Sequence, residues 1–482
     1  IDVDGFYADN LTTMVEKVTS GATSALGEIT ISGYSADNLS QMVEKVTAGA
    51  TGALGKIEMA GYDSTKLTTM VEKVTSGATA SLGKIKMDGY DAGDLSGMME
   101  KVTAGATAAL GNIEMSGFSA DNLTSMVEKV TAGATAAMGD IQMEGFSADN
   151  LTSMVEKVTS GATASLGKIE MTGYDSTMLT GMMEKVTSGA TAALGDIKMD
   201  GFSADNLMAM VEKVTAGATA AMGQIQMEGF SADNLTSMVE KVTSGATASL
   251  GKIKMTGYDS TKLTGMMEKV TAGATEALGK IIMSGFDSND LSGMVKKITT
   301  GATSALGKIQ MEGFDSNDLS VLVDKVKSGT TEGLGKIQME GFDPNNIPSD
   351  ITNSIDSGLV EGQRELPPIL KQVVAVPTPT NDTTPSYTFS SNKVGQITYG
   401  GSCLSSTASA SAGNNIVTFD NLSEGTYSNC SIKLTDSDGI TDTINVNTFT
   451  VDTTDPVIGV TKPIPSITRD STPDYSFSTS EA

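Results

Sequence analysis

The chain has 482 residues, 58 acidic against 32 basic side chains, a net charge of −26, 39% hydrophobic and 5% aromatic content, no Trp and no His. Such acidity argues against a nucleic-acid partner, which needs a basic face, and the lack of His removes the commonest general base and metal ligand. No apolar run reaches the roughly 18 residues that a spanning helix needs, so the sequence carries no membrane span.

From Ile1 onward a 28-residue unit recurs, close to I-x-M-x-G-(F/Y)-(S/D)-x-x-x-L-x-x-M-V-E-K-V-T-x-G-A-T-x-A-L-G-x. Its Gly-aromatic pair falls thirteen times in register, from Gly5-Phe6 to Gly341-Phe342. A fixed period of this size marks a solenoid, in which each unit stacks on its neighbours. No signal peptide opens the chain, and Ile1-Asp2-Val3-Asp4-Gly5-Phe6 already sits in the repeat register, as expected of a piece of something longer. Asp2-x-Asp4-Gly5 matches part of a calcium loop whose remaining ligand positions are missing.

The copy starting at Ile57 shows the expected elements. Leu67, Met70, Val71, Val74, Ala78, Ser81, Leu82 and Ile85 fall at helical spacing, which predicts one amphipathic helix per unit with an aliphatic core. Asp63, and Ser35 or Ser119 in sister copies, stands at the N-cap position, and Asp91 with Asp94 and Asp287 with Asp290 approach a capping box. Gly83 follows the last helical Leu as a C′ glycine does. Gly77 lies in mid-pattern, at a cost of about 1 kcal/mol against Ala. Either the helix breaks there, or it continues and Gly77 with Ala78 admits a neighbouring helix closely; the unbroken apolar phase favours continuation.

Ile85-Lys86-Met87-Asp88-Gly89 alternates apolar and polar, a strand signature. A helix of about 19 residues rises about 28 Å, and nine extended residues return about 30 Å, so one copy closes one turn. The expected fold is a repeat solenoid with one helix and one short strand per 28-residue turn, its I-x-M segments stacked in parallel, resembling the layout of leucine-rich repeats without their consensus. The residue between Ile and Met alternates in charge (Glu58, Lys86, Glu114, Gln142, Glu170, Lys198, Gln226, Lys254), as favourable rungs of such a ladder require. Glu16-Lys17 and its copies read as a solvated face where Glu of one turn meets Lys of the next. The Met rows (Met59, Met87, Met115; Met14, Met42, Met70) read as core filler rather than a copper or haem site. The Thr rows (Thr19, Thr23 and equivalents) read as packing rather than an exposed hydroxyl array of the ice-binding kind. Residues 141–169 and 225–253 are identical, which fits duplication of a block of repeats. Pro344 and Pro348 mark a degenerate last copy, and the solenoid is assigned to residues 1–357, about twelve repeats with a C-terminal cap.

Residues 358–382 read as a proline-containing linker. Short β-prone runs follow at Ser386–Ser390, Gly395–Tyr399, Ile416–Phe419, Ser431–Thr435 and Ile444–Val451, which point to an antiparallel sandwich. Thr384-Pro385-Ser386-Tyr387-Thr388-Phe389-Ser390 returns as Thr472-Pro473-Asp474-Tyr475-Ser476-Phe477-Ser478, 88 residues on. A β module over 383–455 and the start of a second over 456–482 are therefore expected. Ile397-Thr398-Tyr399-Gly400-Gly401-Ser402-Cys403, Val417-Thr418-Phe419-Asp420-Asn421-Leu422, Gly425-Thr426-Tyr427-Ser428-Asn429-Cys430 and Phe449-Thr450-Val451-Asp452-Thr453-Thr454-Asp455-Pro456 complete the pattern. Together these segments resemble the bacterial immunoglobulin-like repeats of large surface proteins and adhesins. That resemblance implies an all-β immunoglobulin-like sandwich and an extracellular or bacterial cell-surface location.

Cys403 and Cys430 are the only cysteines. Two lone cysteines in a β-rich, Ser/Thr-rich module point to a disulfide in an oxidising setting; the alternative is two buried thiols. Asp452 and Asp455 at the module junction are candidate Ca²⁺ ligands, with ordinary linker acids as the alternative. No other cofactor is expected. The repeats hold neither Cys nor His and so no nucleophile–base pair, which excludes an enzyme from the expectation. The function expected is a structural or adhesive scaffold, secreted or surface-displayed, whose partners are further copies of itself in a fibre or a host or cell-surface ligand. The alternative is a binding module whose repeat face recognises a protein or glycan.

Overall fold

A computed structural model of the chain describes residues 8–29, 35–58, 62–86, 90–115, 120–144, 146–170, 174–198, 202–227, 230–309 and 316–480. The chain divides into two compact units, Ile1–Leu366 and Pro367–Ala482. The first is a helical repeat, with thirteen α-helices among the described residues: α1 (Ala8–Ser24), α2 (Ala36–Ala53), α3 (Ser64–Ser81), α4 (Leu95–Ala109), α5 (Ala120–Ala137), α6 (Ala148–Leu166), α7 (Ser176–Ala193), α8 (Ala204–Ala221), α9 (Ala232–Leu250), α10 (Ser260–Leu278), α11 (Leu291–Ala305), α12 (Ser316–Leu334) and α13 (Ser349–Glu365).

Several helices start as their sequence prescribes. Asp63 accepts hydrogen bonds from the Thr65 and Lys66 amides, and Ser35, Ser147, Ser203 and Ser231 form capping boxes with the Asn three residues on. The Asp91 and Asp287 amides donate to Asp94 and Asp290 at 3.0 and 2.8 Å. Every helix runs unbroken through its central glycine. The predicted stripe is the core: Leu67, Met70, Val71, Val74, Ala78, Ser81 and Leu82 are fully buried.

The stacking differs from the expected one-copy turn. No strand occurs among the described residues of the first unit. The connection doubles back instead of crossing the length of a helix. Tyr62 Oη donates to Leu54 O at 2.7 Å, eight residues earlier, and Tyr90, Tyr174 and Tyr258 repeat this with Leu82, Leu166 and Leu250. Burial pushes these phenols above their ordinary value, which keeps them protonated donors. The glycine preceding the aromatic residue makes the turn: Gly257, Gly285 and Gly341 have φ of 84, 83 and 80°, a region open to Gly at little cost. The next helix therefore departs from beside the end of the previous one.

Helix contacts settle the layout. α1 packs on α3, α3 on α5 and so on to α13, while α2 packs on α4 and so on to α12. α1 and α3 run parallel and in register, since Glu16 meets Lys73 and Ser20 meets Ser81. α2 must then run back between them, so one turn takes two copies and the helices form two stacks. Met267 of α10 faces Thr247 of α9 between the stacks. The charged row splits accordingly between opposite edges. Lys86, Gln142, Lys198 and Lys254 lie in connections leading from the first stack to the second, and Glu58, Glu114, Glu170 and Gln226 in those leading back. All eight are exposed, and the edges are a helix length of about 27 Å apart. They form no rungs.

Met115 and Met143 are half-buried and Met70 fully so, as core filler. Met59, Met87, Ser119 and the Asp2–Asp4–Gly5 segment lie outside the described residues.

The repeat extends past residue 357. α13 reaches Glu365, because Ile351, Ile355 and Leu359 supply one more buried stripe. The expected linker over 358–382 is thus helix at its start. Its later part belongs to the second unit, where Leu370–Val374 is strand β1 and Val376 is 1% exposed in the core. Pro367 and Pro368 on one side and Pro377 and Pro379 on the other, which gave the segment its linker character, flank this strand rather than replace it.

The second unit is antiparallel β, with β1 followed by β2 (Ser386–Ser391), β3 (Gly395–Gly400), β4 (Ser409–Ala410), β5 (Gly413–Thr418), β6 (Gly425–Tyr427), β7 (Ser431–Thr435), β8 (Thr441–Asn445), β9 (Phe449–Val451), β10 (Ile458–Lys462) and β11 (Ser476–Thr479). The sheets have strand orders β1-β2-β5, β4-β3-β7-β8, β6-β9 and β10-β11. Tyr387, Phe389, Val417, Ile432, Leu434, Phe449 and Val451 meet in one core, with Phe419 and Tyr427 stacked on Phe449. The run expected over 444–451 divides at Val446, and β8 and β9 join different sheets. Pairing of β10 with β11 (Ile458↔Thr479, Val460↔Phe477, Lys462↔Ser476) reproduces that of β1 with β2 (Leu370↔Ser391, Gln372↔Phe389, Val374↔Thr388) at an offset of 88 residues, bulge included. The β unit therefore begins near Pro367 rather than residue 383.

Candidate functional site

The feature repeated most often in the first unit is the seam between helices two copies apart. Its centre is a glycine. A Cβ on Gly105, Gly161, Gly189, Gly217 or Gly301 would lie 2.3 Å from the carbonyl oxygen of Glu44, Glu100, Glu128, Glu156 or Glu240. The helices approach to a distance that only a missing side chain allows. A second seam runs through the Leu-Gly turn. A Cβ on Gly83, Gly111 or Gly139 would lie within 2.6 Å of the backbone of Gln142, Glu170 or Lys198, two copies ahead. This glycine is present for contact, not for a left-handed C′ cap: Gly167, Gly251 and Gly279 have φ of −69, −69 and −67°.

Flanking the central glycine, Lys of one helix pairs with Glu of the helix two copies earlier. Lys157–Glu100, Lys185–Glu128, Lys213–Glu156 and Lys241–Glu184 are 2.7, 2.8, 2.9 and 3.1 Å apart. The Glu–Lys row is thus a half-exposed zipper along each stack, its partners two units apart rather than one. Each pair contributes less than about 1 kcal/mol at this exposure. Near the end of the repeat, burial alone raises the Glu268 carboxyl, but Lys325 Nζ at 2.8 Å and Ser328 Oγ at 2.5 Å hold it below its usual value. A depressed carboxyl contributes stability above its unfolded value of about 4.3, and that contribution is lost as pH falls through the folded value. Amides of α12 are therefore expected to exchange faster at pH 3 than at pH 7, relative to intrinsic rates, and the difference should shrink in 1 M salt.

Both Thr rows are buried up to the last copies, so they present no regular array of hydroxyls to solvent. The first binds its own helix: Thr159 Oγ1 donates to Val155 O or Glu156 O, at 3.2 and 3.0 Å. In the second, Thr79, Thr107, Thr135, Thr163, Thr191 and Thr219 have no hydrogen-bond partner, whereas Thr247 donates to Met267 Sδ at 3.8 Å. A buried hydroxyl without a partner costs about 1–3 kcal/mol. Thr219→Val is therefore expected to raise the urea midpoint of the helical signal, and Thr215→Val, which removes a made bond, to leave it unchanged or lower it.

In the second unit Cys403 and Cys430 form a disulfide that closes a separation of 27 residues. Lys393 Nζ lies 2.6 Å from Asp436, whose carboxylate also accepts from the Asp438 and Ile440 amides. Burial raises the Asp436 carboxyl, and these partners pull it further, to below its ordinary value.

Asp452 and Asp455 line an open depression with Pro379, Thr380, Asn381, Thr453, Thr454 and Pro456. The Asp452 amide donates to Thr380 O at 2.9 Å and its carboxylate accepts from the Thr454 amide at 3.1 Å. Glu424 nearby accepts from the Thr453 and Thr454 hydroxyls. Among the described residues no three acidic, His or Cys side chains converge as a metal site; the Asp452 carboxylate is engaged in the local turn with Thr454. No helix among the described residues is long and apolar enough to cross a membrane.

The close helix approach at the central glycine was expected from the sequence, whereas the second seam at the Leu-Gly turn and the two-copy spacing of the contacts and ion pairs were missed. The alternation of charge at 58, 86 and 114 was a signal of the two-copy turn. No protein-family model matches the chain, and no curated protein matches it.

Proposed function

We propose that the protein is a structural and adhesive scaffold, secreted or displayed on a bacterial surface. In this reading the repeat stack supplies reach, and the β units are immunoglobulin-like modules that continue the structure. The observation that carries it is the seam itself: one glycine–carbonyl contact with its Lys–Glu pair, renewed with the same residue types along both stacks. Surface built this way repeats its chemistry in rows. Seven helices stacked at the usual spacing reach roughly 50–60 Å. The disulfide supports an oxidising location, and the 88-residue return of the β1–β2 pairing supports tandem β modules.

Protease treatment of intact producing cells tests the reading. The chain should be shed from the cell exterior with Cys403 and Cys430 oxidised. Recovery only from lysed cells, with both thiols free, contradicts it.

A further inference from the structure

The sheet β1-β2-β5 ends on a strand with an open edge. Phe419 N donates to Pro385 O at 3.1 Å, so in the register of β5 with β2 it is Gly413, Asn415 and Val417 that bond to β2. Alternation along an antiparallel ladder turns the N–H and C=O groups of Asn414, Ile416 and Thr418 away from β2. The next outward amide, that of Asp420, donates to Leu404 O at 2.8 Å. After that bond the neighbouring segment departs for β3, where Ala408 O accepts from the Ile397 amide. Residues 414–418 are left exposed apart from half-buried Asn415 and buried Val417, and among the described residues no strand pairs with them on the outward side.

Neighbouring edges of the same module are guarded. Beside β1, the Leu370 amide donates to the Asp442 carboxylate and the Val376 amide to Asn447 Oδ1, both at 2.9 Å. On β8 the Thr443 amide donates to the Asp442 carboxylate at 2.8 Å. Sheets protect their edges with charges, prolines or covering groups, and a bare edge is a template for another strand. β5 has no charged residue and no proline. At its centre Ile416 is 66% exposed, in a cross-strand row with Thr388 and with Val374, itself 56% exposed.

We propose that β5 is the interface with a second copy of this chain, the two β5 strands pairing antiparallel about a two-fold axis at Ile416. The pattern of free groups specifies the occupant. With Ile416 opposite its own copy, Asn414 falls opposite Thr418, and the outward N–H and C=O groups of all three residues match. The two outer apolar rows then join through the paired Ile416 side chains. Along this edge no charge meets a like charge, although the chain as a whole carries −26. An interface this short belongs to the transient class. It joins two chains through their β units, goes beyond the proposed function and does not depend on where the protein resides.

The test is sedimentation of the intact, disulfide-bonded chain over a concentration series up to its solubility limit, with amide exchange read at Ile416 and Thr418. A reversible dimer is expected, in which both amides are protected and from which they exchange faster on dilution. Ile416→Lys sets two like charges opposite each other and should weaken the dimer at least about tenfold. Unchanged exchange of β3 and β7 checks that this variant keeps its fold. Thr426→Lys, at an exposed position of β6, should leave the dimer as it is. A chain that stays monomeric throughout overturns the proposal, as does a dimer indifferent to Ile416→Lys. Protection of Ile416 and Thr418 that does not fall on dilution also overturns it, because the edge is then covered within one chain.

Discussion

Gly217→Ala is expected to destabilise the repeat unit, although alanine is the better helix former by about 1 kcal/mol. The added Cβ would lie 2.3 Å from Glu156 O and 2.5 Å from Thr159 Oγ1, both fixed in the neighbouring helix of the stack. Overpacking of this kind costs about 1–3 kcal/mol and exceeds the propensity gain. Gly217→Leu extends the clash and is expected to separate the stack locally, because each level contacts only its neighbours. Gly49→Ala on α2 provides the opposite sign. Nothing lies within 4 Å of its Cβ position, so only the propensity gain of about 1 kcal/mol remains. Urea unfolding followed at 222 nm reads both, and a rise in midpoint for Gly217→Ala is the result that contradicts the seam.

Replacing Cys403 and Cys430 together by Ala is expected to cost the β unit about 3 kcal/mol, the loop-closure effect of a separation of this length. Both cysteines are buried beside Ile432 and Phe449, so some packing is lost as well. Amide exchange of β7 and β3, which pair with each other, should accelerate about a hundredfold. The helices of the first unit should exchange at unchanged rates. Equal protection of β7 with and without the disulfide contradicts the assignment of this bond as a principal constraint.

How far the sequence specified this structure depends on the range of the interaction. Local features were legible. The apolar stripe through Gly77, the Asp63 and Ser35 caps and the 88-residue β duplication all have counterparts in the structure, because each is decided within a few turns or by direct repetition. Stacking order was not. In near-identical copies a contact between one copy and the next leaves almost the same pattern as a contact with the copy after that. Only small departures separate the two. One is Tyr62 placed eight residues after Leu54, close enough to bond its carbonyl, which an extended return cannot satisfy. Another is the alternation of Glu58, Lys86 and Glu114, where a period of two copies is the layering itself. At the module boundary, the flanking prolines masked β1, although Leu370, Val373 and Val374 are β-prone; the last four residues of the strand are exposed and mark no core position.

The two-copy turn can be tested by cross-linking. Ser188 Oγ lies 2.9 Å from Ser249 Oγ, two copies apart, whereas a one-copy turn places Ser188 beside Ala221. Cysteines at 188 and 249 should close a disulfide on mild oxidation of the folded chain, and cysteines at 188 and 221 should remain free. Closure of 188 with 221, and not of 188 with 249, would contradict the architecture on which the seam and the zipper both rest.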